Sequence, residues 1–130
     1  MTLNRRHFIV TTSAAVCAAS VAAQGTKGTS PMYGLIGKFT AKAGTRDDLA
    51  KILLEGIGGM PGCLSYVVAV DPADDNILWI TEVWENKESH EASLGLPAVQ
   101  DAIKRGRPLI DGMEMIATTN PVGGYGLMAS

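Results

Sequence analysis

Long apolar runs, clustered positive charge, cysteine and histidine are all scarce in this 130-residue chain, and each scarcity closes off a class of function. Beyond the N-terminal segment no run of about 18 apolar residues goes unbroken, which argues against a multi-span membrane protein. Eleven Lys and Arg stand against 13 Asp and Glu, and a net charge of −2 argues against nucleic acid as a partner. Two cysteines cannot build the disulfide framework of a small secreted domain. Aromatics make up only 5% of the residues, yet 46% are hydrophobic, too many for a disordered chain. The length fits one small globular domain.

The first residues read as an export signal. Asn4-Arg5-Arg6-His7-Phe8-Ile9 sets two arginines directly before an apolar stretch, Phe8 to Ala23, shorter than a membrane span. Val21-Ala22-Ala23 supplies small residues for a signal peptidase, with cleavage expected before Gln24. The Arg5-Arg6-x-Phe8-Ile9 pattern resembles the twin-arginine signal, a receptor-read address that leaves no membrane anchor after removal, with an ordinary secretory signal carrying two arginines as the alternative. The expected location is therefore periplasmic or extracellular. Removal of residues 1–23 takes Arg5, Arg6, His7 and Cys17 and moves the net charge from −2 to −4. Cys63 and His90 are then the sole cysteine and histidine, which excludes an intrachain disulfide and a Cys/His zinc site. Cys63, between a helix terminator and a strand, is expected to stay a reduced structural thiol.

Residues 24–31 have a linker composition of Gly, Ser, Thr and Lys. A domain is expected over residues 32–119, followed by a tail over 120–130. Tyr33 to Thr40 alternates as a strand. Thr45 with Asp48 resembles a capping box, and Leu49, Ile52, Leu53, Ile57 and Met60 recur at helical steps, with Gly58-Gly59 and Pro61-Gly62 as the stop. Leu64 to Val70 and Ile77 to Glu85 form a hairpin across the turn cluster Asp71 to Asn76. Asn86 caps a helix from Lys87 to about Leu94; Pro97 restarts it and Gly106 and Pro108 end it. Met113 to Thr119 is the last strand, with Met113 and Met115 expected in the interior. The order βαββαβ is a ferredoxin-like α+β fold, an antiparallel sheet with its helices on one face. On the third strand Ile77, Trp79, Thr81 and Val83 form one face, Leu78, Ile80, Glu82 and Trp84 the other. Neither face is predominantly polar, so the face without helices calls for a second subunit.

Gly56-Ile57-Gly58-Gly59 ends a helix where a dinucleotide loop would open one, and Asp71, Asp74 and Asp75 lack calcium-loop spacing. No cofactor or metal motif emerges. The informative segment is Ile80-Thr81-Glu82-Val83-Trp84-Glu85-Asn86-Lys87-Glu88-Ser89-His90-Glu91-Ala92-Ser93-Leu94, where a strand end and a capped helix bring Trp84 and His90 to one cleft. With Pro61-Gly62-Cys63-Leu64 before strand two and the Leu96-Pro97-Ala98-Val99 restart, it resembles the antibiotic biosynthesis monooxygenase (ABM) family over Tyr33 to Thr119.

The resemblance implies a dimeric α+β barrel, quinol monooxygenase-like, with a cleft between helices and sheet and oxygen chemistry without cofactor, metal or flavin. An electron-rich aromatic such as a hydroquinone, anthrone or polyphenol would then itself supply the electrons to O₂. His90 is the candidate base, and Trp84, Tyr66 and Lys104 are the candidate substrate-binding residues. Polyketide-tailoring relatives often carry a tyrosine at the His90 position and an amide at Ile80. Haem-degrading relatives carry a histidine around Ala102 to Lys104, and none occurs there. Blander readings stay open. Trp84 fits a packed core aromatic, and His90 fits a surface residue between Glu88 and Glu91. Lys104, Arg105 and Arg107 fit charges that complement a helix dipole. The competing function is a non-catalytic exported dimer that sequesters a small aromatic or quinone.

Overall fold

The computed structural model describes residues 31–127. The expected signal, its cleavage point and nearly all of the linker lie outside the described residues. Pairing of alternating apolar segments produces four strands, β1 (Tyr33–Ala41), β2 (Cys63–Val70), β3 (Ile77–Trp84) and β4 (Ile110–Thr119). Between them run helices α1 (Arg46–Glu55), α2 (Lys87–Ser93) and α3 (Pro97–Gly106), with a 3-10 turn, Arg107–Leu109, leading into β4. The strands form one antiparallel sheet in the order β2-β3-β1-β4. This is the expected ferredoxin-like α+β architecture, with the second helical segment broken into α2 and α3 at Leu94-Gly95-Leu96.

Leu49 of α1 and Leu78 of β3 are fully buried and form the core with Ile80 and Ala41. Phe39, Leu53, Tyr66 and Val68 close around them. Helices α1 and α3 approach closely because Gly106 meets Leu49 where a methyl group would stand 3.2 Å from Leu49 Cδ1. Among the described residues no helix is long and apolar enough to cross a membrane.

Four local expectations are corrected. Thr45 precedes α1, but its φ of −115° and ψ of 4° are not the extended N-cap conformation. Its hydroxyl turns back to donate to the Lys42 carbonyl at 2.7 Å, so no capping box forms. Helix α1 ends at Glu55, ahead of the expected glycines. Gly56 N–H bonds Leu53 O at 3.3 Å in a tightened last turn, and Ile57 and Met60 reach inward from the turns beyond. Strand β4 begins at Ile110, because Ile110 pairs with Ala41 and Gly112 with Thr40 ahead of Met113. Finally, Met113 and Met115 are not interior. They stand 63% and 60% exposed on the edge strand β4.

Candidate functional site

The space between the helices and the sheet is a cleft of about 660 Å³. Its walls are apolar: Leu35 and Phe39 from β1, Leu53 from α1, Val99 and Ile103 from α3. Its polar groups gather where β3 hands over to α2. The handover is tight, because Asn86 Oδ1 accepts the Ser89 N–H at 2.8 Å and starts α2 with only Glu85 and Asn86 between it and β3. Gly62 makes this possible. Its φ is +82°, its carbonyl accepts the Glu85 N–H at 2.9 Å, and a methyl group there would stand 2.5 Å from Ser89 Oγ. His90 thus sits one turn into α2, over the end of the sheet.

His90 packs edge-on against Trp84, with ring centroids 5.4 Å apart, and lies 5.6 Å from the Tyr33 ring. Its Nε2 is 3.9 Å from Glu82 Oε1, a charge contact longer than a hydrogen bond. The same Oε1 accepts the Trp84 Nε1–H at 2.9 Å. Glu82 therefore joins Trp84 and His90, and the strand register sets it between Leu35 on β1 and Tyr66 on β2. Burial, with the Glu82 charge adding to it, pushes the Tyr66 phenol far above its ordinary range and keeps it a neutral donor. Burial, again helped by Glu82, also raises the Cys63 thiol against a weak bond to the Ser65 carbonyl, which favours the unreactive protonated form.

Three of the four sequence candidates meet here: His90, Trp84 and Tyr66 all line the cleft. Lys104 does not. It is exposed outside the lining, and Arg107 of the same basic run reaches the cleft instead. Trp84 is 1% exposed, so its ring serves more as a sealed wall and anchor than as an open stacking surface. The carboxylate facing His90 is Glu82; Glu91 instead pairs with Lys87 at 3.8 Å. Sequence reasoning passed over Glu82, although a lone carboxylate on the Leu78, Ile80, Trp84 face was the available signal. Among the described residues no group of three or more His, Cys, Asp or Glu could hold a metal ion. The arrangement can bind a flat apolar molecule, accept a proton on an imidazole, and balance the resulting charge with a carboxylate.

The sequence profile of the antibiotic biosynthesis monooxygenases matches residues 32–105. A crystal structure from Chloroflexus aurantiacus, assigned to the same group, is 60% identical to this chain. The match covers 75% of this chain and 99% of that one, at a TM-score of 0.69. Another from Caulobacter crescentus, 15% identical, covers 72% of this chain and 92% of its own at a TM-score of 0.65, a likeness of fold. The comparison with curated proteins finds no match.

Proposed function

We propose, for a chain that belongs to the antibiotic biosynthesis monooxygenase family, that it oxidises an electron-rich aromatic with O₂, without a metal or flavin. The observation that carries this reading is the His90–Glu82 contact of 3.9 Å at the end of an apolar cleft. The substrate's flat body lies between the helix and sheet walls, with its hydroxyl toward β3 and α2. His90 takes the phenolic or anthrone proton, and Glu82 balances the charge gained by the ring. The substrate anion then reduces O₂: one oxygen atom joins the carbon skeleton, the other leaves as water, and the substrate supplies all four electrons. The apolar walls shield the intermediate pair from solvent.

The test is oxygen uptake by purified, metal-free protein with a panel of hydroquinones and anthrones. Saturable uptake above the autoxidation background is expected. Saturable binding without uptake would replace the enzyme by a protein that sequesters aromatics.

Two features of the working protein belong to the same proposal. It is a homodimer, joined through the sheet face that no helix covers, where Val67 is 50% exposed and Thr81 is open to solvent. It is exported through the Arg5-Arg6 signal, and N-terminal sequencing of the exported protein should begin at Gln24. A retained Met1 in the cell envelope fraction would contradict the export proposal.

A further inference from the structure

The cleft holds one carboxylate at its polar end, and half of it is unused. Glu82 Oε1 takes the Trp84 N–H and faces His90, while Oε2 has no hydrogen-bond partner among the described residues. The side chain is 17% exposed and lines the cleft, so a bound molecule can reach that second oxygen. An acceptor in an apolar wall is stabilised by a donor and destabilised by another acceptor or a like charge. The charged groups elsewhere on the lining, Arg107 and Glu114, are both exposed. Glu82 therefore sets the sign of the inner cleft. Its neighbours already register this, since Tyr66 and Cys63 are both held in their neutral forms, by burial first and by Glu82 in addition.

We infer that Glu82 is a specificity-determining residue: the cleft takes aromatics that arrive uncharged and donate a hydroxyl to Oε2, and rejects aromatic acids. The inference rests on the cleft being the aromatic site proposed above and narrows its substrate to neutral phenols and their tautomers. A ligand hydroxyl on Oε2 lies beside His90, which the same carboxylate faces, so recognition and proton acceptance share one end of the cleft.

The experiment is equilibrium dialysis of the full-length protein at neutral pH with 2-naphthol, 2-naphthoate and the methyl ether of 2-naphthol. These probes share one ring system and differ in charge and in the ability to donate. The wild type should bind 2-naphthol about tenfold or more tightly than 2-naphthoate, as expected for a like charge brought against a desolvated one. It should also bind the ether less tightly than the alcohol. In Glu82→Gln, which keeps an acceptor for Trp84, the naphthol-to-naphthoate gap should close chiefly because naphthoate gains. Equal binding of naphthol and naphthoate by the wild type overturns the inference and leaves the proposed function standing. A gap that persists in folded Glu82→Gln removes Glu82 as its cause. If that variant does not fold, the ether decides: binding equal to the alcohol overturns the hydroxyl contact. Failure of every probe to bind overturns both the inference and the reading of the cleft beneath it.

Discussion

The two faces of β3 carry similar numbers of large apolar side chains, and the fold uses them differently. On the covered face Leu78, Ile80 and Trp84 are buried among helices, and the one polar residue there, Glu82, is tied to Trp84 and His90. On the bare face Trp79 finds its own cover. Lys38 Nζ stands 5.8 Å above its ring, and its N–H donates to Asp71 Oδ2 at 2.8 Å across the hairpin turn. The first face isolates a carboxylate in an apolar cleft, where charge acts strongly. The second places its carboxylate in an exposed turn, where it organises the backbone by accepting the Ala73 and Asp74 N–H groups. The function proposed above assigns chemistry to the first arrangement and assembly to the second.

The largest expected effect lies on the covered side. His90→Ala should lower turnover about 10²–10⁴-fold at neutral pH, the usual worth of general-base catalysis, with less loss as pH rises and the substrate ionises unaided. A steady-state rate that does not change would remove His90 from the mechanism. Next comes Leu78→Ala in the sealed core beside it. Urea denaturation should show a loss of about 2–5 kcal/mol, and a loss under ~1 kcal/mol would mean that this face is less tightly packed than its burial implies. On the bare face Val83→Lys should halve the mass seen by light scattering while the far-ultraviolet circular dichroism stays native. An unchanged mass would move the subunit contact off this face or deny it.

The smallest effects separate the two faces by pH. Asp71 is held below the ordinary carboxylate range, first by the Trp79 N–H and then by backbone N–H groups. Its contribution to stability is present above that range and is lost as pH falls through the lowered value. Tyr66 is the reverse case. Its raised folded value makes a contribution that is full below the ordinary tyrosine range and is lost as pH rises through the raised value. In an ultraviolet titration of the three tyrosines, Tyr66 should yield phenolate only with alkaline unfolding. Three phenolates forming in native protein near pH 10, the ordinary tyrosine value, would show that the cleft does not seal this residue.

Much of this frame was legible in one dimension. Period-two alternation located β1, β2 and β3 to within a residue, and Asn86 and Pro97 marked the starts of α2 and α3. What escaped depended on contacts between distant residues. Ile57 and Met60 keep helical spacing, but the chain leaves the helix at Gly56, where a methyl group would stand 3.0 Å from Ala102 Cβ. Ile110 joins β4 because Ala41 is there to pair with it, a fact no local pattern around Pro108 and Gly112 contains. For the site, the approach of Trp84 and His90 follows from a strand end and a cap. The lone carboxylate Glu82 was visible on its strand face, but its place between Tyr66 and Leu35 follows only from the strand register. Lys104 was the expected binding cation, and it is Arg107, opening the 3-10 turn, that reaches the cleft in its place.

The most direct test of the central claim, that this cleft makes an aromatic reduce O₂ unaided, is mass spectrometry of the product formed from anthrone under ¹⁸O₂. The account predicts that metal-free wild-type protein forms anthraquinone carrying one ¹⁸O atom, faster than the protein-free background, and that His90→Ala does not exceed it. A rate indistinguishable from background, or a protein-dependent product whose new oxygen comes from water, would contradict it.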